Sequence, residues 1–81
     1  MELDTDKIDQ DVLALLFLTA FREGKDQQWR TWKSHDWEVL DRLCEKGFIS
    51  EPKSKARSVC LTEEGFIMAK HFFESKYVKK E

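Results

Sequence analysis

The chain has 81 residues, of which 41% are hydrophobic, 12% aromatic and 37% charged. That length allows one small domain, and the hydrophobic share is enough for a compact core. The formal net charge of -2 gives no overall positive field that would draw the molecule to nucleic acid or anionic lipid. We therefore expect a single domain over residues 1–81, frayed at residues 1–5 and 79–81.

No feature of the sequence predicts a secreted or membrane protein. The N-terminus is acidic rather than basic ahead of its apolar run, unlike a signal peptide. The longest apolar run, from Val12 to Leu18, is too short to span a bilayer. Two cysteines without metal-type spacing fit a reducing compartment. We expect a cytoplasmic protein without a membrane partner.

An apolar helix is predicted near the N-terminus, capped by Thr5 or Asp6 and running to about Arg22, with Gly24 as its stop. One stripe of this helix carries Ile8, Val12, Leu15, Leu16 and Thr19. Other apolar residues lie beyond the stripe, namely Leu13, Phe17, Leu18 and Phe21. A helix that is apolar nearly all round is buried on more than one side. It is therefore either the central core helix or a helix that also contacts a dimer partner.

The link over residues 24–33 has no clear apolar period, and it is predicted as either one short helix or an ordered loop. A helix-turn-helix needs a true second helix here, and there is barely room for one. Trp29, Trp32 and Trp37 lie close together in the sequence. They are interpreted as a cluster that pins the link against the next helix. Alternatively, Trp29 and Trp32 form a patch for a protein partner, since tryptophan is enriched at such sites.

The next predicted helix has Ser34 as its candidate N-cap and Gly47 as its left-handed stop. Phe48 is expected to fold back on Leu43 after that glycine, as in a Schellman motif. Residues 48–50 and 57–61 are then predicted as the two strands of a β-hairpin.

The last helix is predicted from Glu63 to about Tyr77, with Thr62 as its N-cap. A hydroxyl at that position accepts a hydrogen bond from an unpaired N–H group of the first turn. Lys79, Lys80 and Glu81 follow as a short charged tail. The apolar face of this helix is wide enough to cover the hairpin and also to contact a protein partner.

These patterns resemble a known family of domains. The stretch D-R-L-C-E-K-G-F-I, a basic loop ending K-A-R, and then V-C-L-T-E-E-G are similar to the back half of winged-helix domains of bacterial transcriptional regulators. The resemblance covers roughly residues 36–66. It implies an α+β, winged-helix-like fold with three main helices and a two-stranded β-hairpin, the wing. Over nearly its full length the chain also resembles a small bacterial family of unknown function, which implies no activity.

No catalytic, cofactor or metal site is predicted. Neither His35 nor His71 has metal-ligand spacing around it, and three glycines in the whole chain leave no phosphate loop. Cys44 and Cys60 are interpreted as small buried hydrophobes, whose thiols are inert because apolar surroundings raise their pKa. We therefore expect no enzyme.

Five basic residues are candidate nucleic-acid contacts, because cations interleaved with aromatics hold phosphates and stack bases. They are Lys53, Lys55 and Arg57 in the wing and Arg30 and Lys33 in the link. The helix that would enter the major groove argues against groove reading. Its residues 36–46 carry four acids and two bases, and phosphates repel such a face.

We expect a non-enzymatic module that acts by protein association, as a homodimer through its first and last helices. The candidate dimer contacts are Leu13, Phe17, Phe21, Phe72 and Tyr77. The alternative is a DNA-binding transcriptional regulator that contacts phosphates through the basic wing and the link. The identity of any protein partner stays open.

Overall fold

The structure is a computed structural model of the chain, and it describes residues 1–22, 24–33 and 35–79. The elements along the chain are α1 (Thr5–Leu18), β1 (Arg30–Trp32), α2 (Trp37–Glu45), β2 (Ser58–Cys60) and α3 (Glu63–Tyr77). The two strands pair in antiparallel fashion, with Thr31 opposite Val59. The α+β class with three helices and a two-stranded antiparallel sheet is thereby confirmed.

Helix α1 begins one residue earlier than its predicted caps allow. The carboxylate of Asp4 accepts a hydrogen bond from the Lys7 amide at 3.1 Å, so Asp4 is the N-cap. The helix ends at Leu18 instead of continuing to about residue 22, and Gly24 is not its stop. The chain turns away because Phe21 and Arg30 exchange two backbone hydrogen bonds of 2.8 Å. Pairing with a distant segment thus shortens the helix.

The buried face of α1 also differs from the predicted stripe. Its buried residues are Asp9, Leu13, Ala14 and Leu16, whereas Leu15 is 37% exposed. The core formed around this face consists of Leu13, Leu16, Val39, Leu40, Leu43, Ile49, Val59, Leu61 and Ala69. Within the described ranges, no helix is both long and apolar enough to cross a membrane.

The link is an ordered loop over residues 24–29, one of the two predicted alternatives, and residues 30–32 form a strand that was not predicted. Its strand β1 pairs with β2, and Thr31, the middle residue of β1, is fully buried. The Thr31 hydroxyl donates to the Leu16 carbonyl oxygen at 3.0 Å, which ties the sheet to α1. The link is therefore structured by contacts with residues far away in the sequence.

Of the two predicted hairpin strands, only the second forms, as β2. Residues 48–50 form no named strand, and Ile49 makes a single bridge to Leu61. The Ser50 amide also donates to the Cys60 carbonyl oxygen at 2.9 Å. Strand β2 consequently lies between the link on one edge and residues 49–50 on the other.

The end of α2 follows the prediction. Gly47 has a φ of +81°, and the Phe48 amide donates to the Leu43 carbonyl oxygen at 3.0 Å, which is the Schellman hydrogen bond. The start of α2 differs, because Asp36 occupies the N-cap position without a side-chain hydrogen bond. The predicted cap, Ser34, lies outside the described residues, as do residues 80 and 81 of the predicted tail.

The start of α3 is joined to the end of α2. The Thr62 hydroxyl accepts a hydrogen bond from the Gly65 amide at 2.9 Å, so the predicted N-cap is confirmed. The same hydroxyl donates to the Gly47 carbonyl oxygen at 2.6 Å. Gly65 is needed because a Cβ there would lie 1.9 Å from the Phe48 carbonyl oxygen.

Replacing Gly65 by alanine should therefore lower the free energy of unfolding by about 2 kcal/mol, since backbone must shift to admit the methyl group. Urea unfolding measures this loss. The matched control is Gly24→Ala, where the nearest atom lies at an ordinary 3.8 Å. We expect that variant to stay within about 0.5 kcal/mol of the wild type. Equal stabilities for the two variants would contradict the packing described for Gly65.

Candidate interaction surface

Five aromatic side chains form a continuous row on the side where α1 and α3 meet. The ring centroids lie 5.1 Å apart for Trp29 and Phe66, 5.5 Å for Phe66 and Phe17, and 5.2 Å for Phe17 and Phe73. Tyr77 ends the row, 5.7 Å from Phe73. The first four rings are half-buried and Tyr77 is 48% exposed. We call this set the aromatic row.

The sequence positions these rings from three elements. Phe66, Phe73 and Tyr77 are spaced by seven and four residues, which places them on one face of α3. Phe17 comes from α1, and its ring contacts Phe66 and Phe73 of α3. Trp29 is held by the link, where its carbonyl oxygen accepts a 2.8 Å hydrogen bond from the Leu61 amide.

Exposed aliphatic side chains continue the apolar surface beside the row. Ile67 is 60% exposed and lines a shallow cleft of about 390 Å³ together with Trp29 and Phe66. Val78, 55% exposed, follows Tyr77 directly in the chain. Contiguous exposed apolar residues of this kind mark interaction sites more often than scattered ones do.

The five candidate dimer contacts do not share one surface. Phe17 and Tyr77 belong to the aromatic row, whereas Leu13 is fully buried and is a core residue. The Phe21 ring packs on Trp32 at 4.9 Å, near the sheet. Phe72 is half-buried and lines a cavity between the helices.

The three tryptophans do not form the cluster that was predicted, since each ring has a different neighbour. The Arg22 guanidinium lies 4.8 Å from the centre of the Trp29 ring. Trp32, in contact with Phe21, is 50% exposed. Trp37 is 55% exposed, with the Lys33 ammonium 5.9 Å from its ring centre. The candidate partner patch of Trp29 and Trp32 is thus divided between two aromatic contacts.

The basic residues of the wing are exposed, and one residue of the link joins them. The Lys33 ammonium donates to the Ser54 carbonyl oxygen at 2.7 Å. This contact brings Lys33 to the loop that carries Lys53, Lys55 and Arg57. We call these four residues the basic loop surface.

Arg30, the remaining candidate nucleic-acid contact, is engaged within the sheet. Its guanidinium donates to the Ser58 hydroxyl at 2.8 Å and to the Ser58 carbonyl oxygen at 3.1 Å. A third hydrogen bond of 2.8 Å reaches the sulfur of Cys60. The arginine therefore holds the two strands together, and these donors are directed at the protein.

A cluster of charges that the sequence analysis missed lies between α1 and α2. Asp9 is 1% exposed, and its carboxylate accepts three hydrogen bonds of 2.8 to 3.0 Å from Arg42. The Lys46 ammonium donates to the same carboxylate at 2.9 Å and contacts Asp6 at 3.3 Å. We call these four residues the ion cluster. One feature of the sequence points to this cluster. Asp9 precedes Leu13 by four residues, so the two side chains share the buried face of α1.

Contacts within the ion cluster shift the pKa values of Asp9, Arg42 and Lys46. Burial alone would raise the pKa of Asp9, but the hydrogen bonds and charges of Arg42 and Lys46 outweigh it and hold that pKa below its usual value. The hydrogen bonds to Asp9 in turn raise the pKa values of Arg42 and Lys46. All three groups are therefore charged at neutral pH.

The two cysteines are half-buried free thiols, less buried than predicted, and Cys44 packs against the core as expected. Burial is the main cause that raises the pKa of Cys44, and nearby carboxylates add to it. The sulfur of Cys60 accepts the hydrogen bond from Arg30 described above. Among residues 1–22, 24–33 and 35–79, no group of three or more His, Cys, Asp or Glu side chains is arranged to hold a metal ion.

Comparison with known proteins gives a family and a relative. The family described as "Domain of unknown function (DUF6429)" matches residues 4–79. A protein of Sinorhizobium fredii (strain NBRC 101917 / NGR234), "Uncharacterized protein y4hR", is 42% identical over 79 residues, which cover 98% of this chain and 100% of that protein. No solved structure matches the chain.

Proposed function

The chain belongs to the DUF6429 family, and we propose that it is a non-enzymatic module that associates with a second copy of itself through the aromatic row. The observation that carries this proposal is the row of five rings in mutual contact, ending at the exposed Tyr77. Aromatic residues are enriched in the buried centres of protein interfaces, where a second partner removes them from water.

The charges along α3 favour a second copy as the occupant. Glu63 and Glu64 lie in its first turn, and Lys79 lies just beyond its other end, after Lys76, whose ammonium also pairs with Asp11 of its own chain. A twofold axis that crosses α3 would set two such helices antiparallel. The carboxylates of each copy would then face the ammonium groups of the other. An isologous dimer requires a self-complementary surface of this kind.

The proposal includes a winged-helix-like architecture, supported by the order α2, Gly47, the Ile49 bridge, the basic loop and α3. One feature departs from DNA-reading relatives of that architecture. Between α1 and α2 the described residues contain β1 and no helix. In a helix-turn-helix, the first helix crosses the DNA backbone and supports the second helix in the major groove. Here no such helix stands directly before α2 among the described residues. This departure favours association over groove reading.

The test of the proposed dimer is the solution mass by light scattering across a dilution series. We expect twice the 9.7 kDa of one chain, with dissociation only at the low end of the series. A mass of 9.7 kDa at every concentration would overturn the proposal.

A second candidate function is phosphate binding by the basic loop surface. The specific observation in its favour is the 2.7 Å contact between Lys33 and Ser54, which joins a link cation to the wing. The exposed ring of Trp37 next to Lys33 adds a face on which a base could stack.

Replacing both Lys55 and Arg57 by glutamate should abolish duplex binding if this second candidate is correct. Wild-type binding should weaken steeply as salt rises, because each phosphate contact releases counterions. The matched control replaces Lys7 and Lys70, which are exposed residues of α1 and α3, by glutamate. That variant has the same net charge and should bind nearly as the wild type does. If both variants lost duplex binding equally, the change in net charge would explain the loss, and the basic loop surface would not.

A further inference from the structure

A cavity of about 260 Å³ lies between the three helices, on the side of the ion cluster. Its apolar lining consists of Leu13, Leu43, Phe48, Met68 and Phe72. Its polar lining consists of Asp6, Asp9, Gln10 and Lys46. The cavity thus combines an apolar interior with a charged rim.

The two carboxylates near Lys46 differ in how firmly they are paired and how deeply they are buried. Arg42 and Lys46 together carry two positive charges, and the buried Asp9 neutralises one of them. Asp36 and Glu38 add negative charge near Arg42, whereas Lys46 has Asp6 as its second carboxylate, with a side chain that is 83% exposed. Asp6 makes one contact, of 3.3 Å, with Lys46. An exposed ion pair of that geometry contributes little free energy, so Asp6 is easily displaced.

We propose that this cavity binds a small amphipathic carboxylate, whose apolar chain fills the cavity and whose carboxylate replaces Asp6 on Lys46. The Lys46 ammonium has three N–H donors and a side chain that is 35% exposed, so a ligand can reach it. A bound carboxylate supplies the negative charge that Lys46 loses when Asp6 moves into water. The cavity volume corresponds to about nine water-sized volumes of ~30 Å³, which suits a short carbon chain.

This proposal is independent of the aromatic row. The row consists of Trp29, Phe66, Phe17, Phe73 and Tyr77, and none of these residues lines the cavity. Failure of one proposal therefore leaves the other intact.

The probe is octanoate, titrated into the full-length protein by isothermal calorimetry, with octanol as the neutral probe of equal chain length. We expect saturable binding of octanoate that is about tenfold tighter than that of octanol, because a charge-assisted hydrogen bond is worth about 1.5 kcal/mol or more. Equal affinities for the two probes would overturn the proposed role of the carboxylate. Absence of saturable octanoate binding would overturn the site.

Two substitutions test the residues. Lys46→Met should weaken octanoate binding about tenfold, whereas Lys70→Met, at an exposed position of α3 outside the cavity, should leave it unchanged. Asp6→Asn changes an exposed side chain, so it should fold normally and bind octanoate several-fold more tightly. Unchanged or weaker binding by the Asp6→Asn variant would contradict displacement of Asp6. That result would hold even if Lys46→Met failed to fold.

Discussion

Replacing Asp9 by alanine is expected to lower the free energy of unfolding by about 3 kcal/mol, because Arg42 and Lys46 would lose their shared counterion. Breaking a buried ion pair on one side costs about 3 to 5 kcal/mol in general. The lower end applies here, since the side chains of Arg42 and Lys46 are 29% and 35% exposed and can reach water.

Urea unfolding near neutral pH measures this loss, and Asp6→Ala is the matched control. Asp6 contacts the same lysine, but its side chain is 83% exposed, so its loss should change the stability by no more than about 0.5 kcal/mol. If Asp9→Ala were as stable as the control, the ion cluster would not hold α1 to α2.

The same cluster predicts how stability depends on pH. Because the folded-state pKa of Asp9 is lowered, its stabilisation is present above the unfolded-state value of about 3.9 and is lost as pH falls through the folded-state pKa. Unfolding in urea at about pH 7 and about pH 3 should therefore show a smaller drop for Asp9→Asn than for the wild type. Equal drops would mean that Asp9 does not contribute to acid unfolding.

Replacing both Ile67 and Tyr77 by lysine should weaken the proposed dimer by at least about 100-fold, because central interface residues each contribute about 2 kcal/mol or more. The two side chains are 60% and 48% exposed in the single chain, so folding should be little changed. In the dimer the new ammonium groups would lose their contact with water at the apolar interface, which costs free energy. Sedimentation velocity measures the shift from dimer to monomer.

The matched control replaces two exposed apolar residues away from the aromatic row by lysine. Leu3 and Trp37 are suitable, because they are 63% and 55% exposed. This variant should remain dimeric at concentrations at which the first dissociates. If both variants dissociated alike, the added positive charge would explain the dissociation, and the aromatic row would not.

The helix ends that the sequence predicted well are those decided locally. Thr62 precedes Gly65 by three residues, and Gly47 follows directly on the last turn of α2, so their hydrogen bonds need no distant partner. The local sequence therefore predicts the cap at Thr62 and the stop at Gly47, but it does not predict the ends of α1.

The features that the sequence did not predict depend on distant partners. Helix α1 ends early and the link is extended because residues 30–32 pair with residues 58–60. Asp9 is buried because Arg42, 33 residues away, neutralises it. The sequence likewise predicted both Phe17 and Phe72 as dimer contacts. It could not indicate that one faces the aromatic row and the other a cavity, because that depends on how the helices cross.

The most direct test of the aromatic row is an isotope-filtered NOE experiment on an equal mixture of labelled and unlabelled wild-type protein. It detects proton contacts between copies only, so it reports the interface itself. We expect intermolecular NOEs from the rings of Phe73 and Tyr77 and from the side chain of Ile67. Intermolecular NOEs confined to α2 or to the basic loop surface, or none at all, would contradict association through the aromatic row.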